Sequence, residues 1–443
     1  MMTYKPYLFF ISLIAMMGGL MFGFEIAIIS GAVPFIQTYF DWTELQLGWG
    51  VASLLVGAVL GSISSGYLSD RFGRKRTLIF VSLFFALSCF GVATAESSLM
   101  FIIARIVGGL SVGAASVISP MYVAEVAPRK IRGSLVAVYQ LTITLGILIS
   151  YLINYSLHDV ENNWRWMFAT GVVPSVLFFI GLFFIPESPR WLVLKGKKGE
   201  ALKVLGKISN DDVIDSVISE IESSLHQTKE KTNYASLFKG AYRAPVVLGL
   251  MLAVLIQITG INTVIDYAPK ILLAAGLEIK SALLQTSIIG LLNFVATFVA
   301  IWFIEKAGRR VLYLIGSAAM FVSLILLSLS FYFELDGIFA LLSLLLFIAS
   351  FAAFIGPVFW TLVSEIFPNR IRGKAIALAS FTQWVFNFII VLFFPHLLKS
   401  IGGSATFALL AVMCLAQFWV AFRWLPETKG KSLEEIEKLW VIG

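Results

Sequence analysis

Glu25 and Arg105 are the residues of this chain best placed to do chemistry. Each is an ionisable side chain set in a long apolar run, Glu25 in Phe22-Gly-Phe-Glu25 and Arg105 in Phe101-Ile-Ile-Ala-Arg105. Charges inside a membrane helix are costly, and those that are kept tend to pair or to carry protons or ions. Counted along their runs, the two lie at similar depth in the same half of a bilayer, so an ion pair is open to them. A static structural pair is the plainer alternative. A second set is neutral: Gln140, Gln257, Asn262, Asn293, Trp360, Gln383 and Trp384 interrupt otherwise apolar stretches. Amides beside indoles suit a hydroxyl-rich solute, although any one of them alone could be an interhelical hydrogen bond. Gln257 and Asn262 flank Gly260, an expected helix break. Asp266, just before Tyr267, could accept hydroxyl hydrogen bonds, titrate, or lie in a hydrated mouth.

The elements that carry these residues follow from composition. Of 443 residues, 59% are hydrophobic and 13% charged, against about 25% charged in a soluble domain. The pattern excludes an ordinary globular enzyme and predicts a polytopic helical membrane protein. About twelve runs reach the ~20 residues needed to cross a bilayer. The first reads as an uncleaved helix, having no A-x-A-like cleavage site. The charged stretch 196–240 stands apart and predicts a linker with short amphipathic helices, notably over 211–225. It separates residues 1–195 from 241–443, two bundles of six helices, the second ending in a short tail. Most of the 33 Lys and Arg fall on the side of the termini and linker. The positive-inside rule therefore places both termini in the cytoplasm and explains the net charge of +7 without nucleic acid. Two cysteines and three scattered histidines make no disulfide framework and no metal spacing. There is no HExxH and no phosphate loop, so no enzyme, nucleotide or cofactor is expected.

The halves repeat each other. Glu125-Val-Ala-Pro-Arg-Lys-Ile-Arg-Gly133 matches Glu365-Ile-Phe-Pro-Asn-Arg-Ile-Arg-Gly373. Pro186-Glu-Ser188 matches Pro426-Glu-Thr428, and Asp70-Arg-Phe-Gly-Arg-Lys75 matches Glu305-Lys-Ala-Gly-Arg-Arg310. Their near-constant offset implies a duplication, the arrangement of two-lobed transporters that bind near the midplane. Gly66-Tyr-Leu-Ser-Asp-Arg-Phe-Gly-Arg-Lys75 resembles the signature loop of the major facilitator superfamily. The repeated Glu-to-Arg-x-Arg-Gly blocks, Pro186-Glu-Ser-Pro-Arg-Trp191, Pro426-Glu-Thr-Lys-Gly430 and Gly356-Pro-Val-Phe-Trp360 resemble its sugar porter family, in order over almost the whole chain. Bacterial proton-coupled pentose and hexose symporters are the nearest type.

The resemblance implies an all-α fold of twelve transmembrane helices in two pseudo-symmetric six-helix bundles, in a cell membrane of bacterial inner-membrane type. It implies secondary active import of a monosaccharide or polyol with protons, driven by the proton gradient, by a monomer in the lipid bilayer. Glu25, an Asp in the symporters, would be the proton site with Arg105 as its partner. Gln140, Gln257, Asn262, Asn293, Trp360, Gln383 and Trp384 match sugar-contacting positions. Ile256 replaces the first of a usual Gln pair, and Asp266 an aromatic, so the usual sugar specificity does not transfer. Asp70, Arg71, Arg74, Glu125, Arg129, Arg132 and Glu187, with Glu305, Arg309, Glu365, Arg370, Arg372 and Glu427, are expected to form a cytoplasmic gate rather than mere topological anchors. Facilitative uniport and nutrient sensing on the same fold are the alternatives.

Overall fold

The computed structural model describes residues 6–208, 214, 218–219, 237–368, 370–429, 435–437 and 440. Among the described residues, twelve helical segments are long and apolar enough to cross a membrane, as the runs predict. In chain order they begin α1 (Pro6–Tyr39), α2 (Glu44–Phe72), α3 (Arg74–Ala93), α4 (Ser98–Val126) and α5 (Arg129–Leu157). The sixth span is broken into α6 (Asn163–Ala169) and α7 (Val172–Phe184). Short helices α8 (Pro189–Leu194) and α9 (Lys198–Ile208) lead away from it. The second half continues with α10 (Arg243–Ile258) and α11 (Ile261–Ala274), then α12 (Ile279–Ala307) and α13 (Arg309–Tyr332). It closes with α14 (Gly337–Ser350) and α15 (Gly356–Ile366), α16 (Arg372–Ser400) and α17 (Gly402–Trp424). The 211–225 stretch expected to be amphipathic falls almost wholly outside the described residues.

Breaks occur where the sequence calls for them. Gly260 has φ +86 and separates α10 from α11, a conformation that suits a residue without a β-carbon. Five residues in π geometry, Phe351–Ile355, join α14 to α15 ahead of Gly356-Pro357, where a proline removes a helix donor. Large apolar side chains such as Leu99 and Ile63 are over 60% exposed, as a lipid-facing surface requires.

By packing, the chain forms two compact units. One comprises Met1–Glu25, Val56–Gly146 and Phe168–Lys231; the other comprises Ile26–Leu55, Ile147–Met167 and Thr232–Gly443. This partition differs from the six-plus-six division of the repeat. Segments of α1, α2 and α5 belong by contact with the second half. Tyr151 on α5, for instance, donates its hydroxyl to the Ile265 carbonyl at 2.8 Å.

Candidate functional site

In the first unit, α1 delivers Glu25 and α4 delivers Arg105 into the same buried interior. Glu25 is 0% and Arg105 1% exposed. Arg105 Nη1 lies 3.4 Å from Glu25 Oε2 and donates to the Glu25 carbonyl oxygen at 3.0 Å. The guanidinium carbon sits 5.8 Å from the Phe168 ring centroid, within reach of a cation–π contact. Close helix approach makes the pocket tight. A β-carbon on Gly23 would collide with the Ile143 carbonyl, so α1 and α5 meet backbone to backbone. Sequence reasoning missed one partner. The Cys89 thiol on α3 donates to Glu25 Oε1 at 3.2 Å. An isolated cysteine in an apolar run reads as packing, and nothing in its spacing marks it as a ligand of a carboxylate.

The neutral polar residues divide between the units. Gln140 is half-buried on α5 in the first. The rest stand in the second. Asn262 Nδ2 donates to Gln257 Oε1 at 2.8 Å across the Gly260 break, so the break turns two amides toward each other. Asn293 on α12 and Gln383 on α16 are buried, 6% and 8% exposed. Trp384 is half-buried, and Trp360 on α15 is 45% exposed with its edge against Phe359. Asp266 is buried at 5% exposure, beside Tyr267, where α11 departs from helical geometry. The Tyr267 hydroxyl donates to the Val391 carbonyl at 3.1 Å, which anchors the kink to α16.

The repeated motifs build the same structure twice. Arg74 Nε and Nη2 each lie 3.0 Å from the Glu125 carboxylate, a two-point grip, and Nη1 reaches Asp70 at 3.0 Å. Arg309 Nη2 reaches Glu365 at 3.1 Å. Glu187 accepts the backbone N–H groups of Arg74 at 2.8 Å and Lys75 at 3.2 Å; Glu427 accepts those of Arg309 at 3.0 Å and Arg310 at 3.2 Å. Both carboxylates thus cap helix N-termini, which favour negative charge. Each cap sits over a glycine, Gly73 at φ +96 and Gly308 at φ +88, where a β-carbon would strike the capping carboxylate. Burial pushes the Glu187 carboxyl above its ordinary range, and the backbone N–H groups and Arg74 oppose that rise.

Two hydroxyls, quoted within the repeat but given no role there, complete the pattern. Ser188 donates to Glu125 at 2.5 Å and Thr428 to Glu365 at 2.6 Å. Arg71 is exposed and donates to the Tyr67 hydroxyl at 3.0 Å; Arg372 Nε donates to the Phe367 carbonyl at 3.2 Å; Arg370 is exposed. The side chains of Arg129, Arg132 and Glu305 lie outside the described residues.

The model of a family described as sugar (and other) transporter matches residues 11–440. The chain is 40% identical to the arabinose-proton symporter of Bacillus subtilis (strain 168), covering 97% of this chain and 94% of that one. It is 39% identical to the D-xylose-proton symporter of Escherichia coli (strain K12), covering 98% and 96%. Among solved structures, the inward open conformation of the xylose transporter XylE from E. coli matches with a TM-score of 0.88 and 37% identity, over 98% of this chain and 100% of that one.

Proposed function

The chain belongs to the sugar transporter family, and from that premise we propose that it imports a monosaccharide or related polyol by proton symport. It is a multi-pass membrane transporter of the major facilitator fold and not an enzyme. The observation that carries the coupling is Glu25, a carboxylate fully buried in a membrane span against Arg105. In the proposed cycle, protonation neutralises Glu25 and loosens its hold on Arg105. That favours sugar binding and the switch to the inward-facing state, since a ligand shifts an equilibrium only by binding one state better. Gln140, Gln257, Asn262, Asp266, Asn293, Trp360, Gln383 and Trp384 serve as the sugar-binding set. The paired Arg–Glu clusters at the loop ends serve as a cytoplasmic gate. The excess of Lys and Arg in the loops that share a side with the termini supports placing both termini in the cytoplasm of a bacterial inner membrane. The proton gradient supplies the energy without a cofactor, and a monomer suffices.

The test is uptake by purified protein in proteoliposomes, with a labelled panel of pentoses, hexoses, amino sugars and polyols. Accumulation above the outside concentration only under an inward proton gradient is the expected result, and it identifies the substrate. Equilibration that ignores the gradient would overturn symport and leave Glu25 a structural role.

A further inference from the structure

The second unit holds a charged ring that shares no residue with the repeated motifs or with the Glu25 pair. Lys270, on α11, places its Nζ 2.6 Å from Glu44 Oε2 and 3.0 Å from Gln37 Oε1. Gln37 Nε2 donates to Glu44 Oε1 at 3.2 Å, so the three side chains close on one another. Glu44 opens α2, where the helix N-terminus favours its charge. The Lys270 and Glu44 side chains are 17% and 14% exposed, so they escape most of the screening that weakens a surface pair. Lys399, 4.0 Å from Glu44, is 73% exposed and adds little. Gln37 and Glu44 come from the first sequence half, Lys270 from the second. Beside the ring, a β-carbon on Gly48 would collide with the Leu392 carbonyl, so α2 and α16 touch by backbone at the same end.

We propose that Lys270 is a positioning residue for transport: with Glu44 and Gln37 it latches the two sequence halves together at the end of the bundle opposite the termini, and the latch parts when that end opens. The proposal rests on the transport cycle given above. The ring borders a cavity of about 420 Å³ that Val33 also lines. Water entering there solvates the ammonium and carboxylate as they separate, which spares the cost of stranding either charge in hydrocarbon. Asp266 precedes Lys270 by four positions on α11, across the kink at Tyr267.

The test uses Val33→Cys as a reporter in right-side-out membrane vesicles, without sugar or proton gradient. A membrane-impermeant maleimide is applied from the face opposite the termini. Val33, Cys89 and Cys414 are all fully buried, so native background is low. Glu44→Gln and Lys270→Met, each added to the reporter, should raise its labelling rate roughly tenfold. Combining Glu44→Gln with Lys270→Met should give labelling no faster than the faster single variant, whereas independent structural losses would add. Unchanged labelling in folded single variants, or additive effects in the double variant, overturns the latch. The readout uses neither sugar nor protons, so failure of the symport assignment registers separately.

Discussion

Arg105 holds Glu25 at two points through one nitrogen, the carboxylate Oε2 at 3.4 Å and the main-chain carbonyl at 3.0 Å. The second contact does not depend on the carboxylate, so it survives loss of the charge. Glu25→Gln should therefore fold with little change in melting temperature, lose gradient-driven accumulation and keep counterflow. Arg105→Met strands a buried carboxylate and should cost about 3–5 kcal/mol. Melting and counterflow of the two variants check this; equal stability losses would contradict the two-point hold.

The duplicated ion pairs differ in burial. Side-chain exposure is 5% and 8% for Arg74 and Glu125, against 17% and 20% for Arg309 and Glu365. Arg74→Ala should cost about 3 kcal/mol and Arg309→Ala about 1 kcal/mol. Denaturation of both variants in one detergent measures the difference, and comparable losses would show that burial does not govern the pair.

At Gly260 a β-carbon would sit 2.7 Å from Leu410 on a backbone of φ +86. Gly260→Ala should cost about 1–2 kcal/mol and raise the KM for sugar by disturbing the Gln257–Asn262 hydrogen bond. Gly206 serves as the control, since it lies inside α9 with open space around it. Gly206→Ala should be stabilising by about 0.5–1 kcal/mol. Transport kinetics and melting curves of both proteins decide the point.

Glu187 has its carboxyl raised above the ordinary value by burial, so its protonated form is the one folding favours. The sign follows: its contribution is full below the ordinary Glu value of about 4.3 and is lost as pH rises through the raised one. Glu187→Gln should flatten the stability profile in that window. Melting temperature against pH for both proteins tests it, and parallel profiles would exclude Glu187 as the source.

Much of this was legible because membrane helices announce themselves in unbroken apolar runs, and because charge inside such a run has few uses. Glu25, Arg105 and the Gly260 break were readable on those grounds, and the repeated motifs pointed to two matching charged clusters. What stayed hidden depends on which helices meet. The Cys89 thiol reads as packing until α3 is laid beside α1. Lys270 and Glu44 are 226 positions apart, and each alone reads as a charge near a loop. Nor does a local sequence say that segments of α1, α2 and α5 pack with the second half, since their apolar faces suit any neighbour of the right shape.

The capping carboxylates also bear on how the chain is made. Glu187 lies 113 residues after the Arg74 amide it accepts, and Glu427 118 residues after that of Arg309. A ribosome delivers α3 and α13 long before their caps. The N-terminal turns of α3 and α13 therefore gain their caps only after the sixth span of their own half has been synthesised. Each half thus carries its own late fastening, Glu187 in the first and Glu427 in the second.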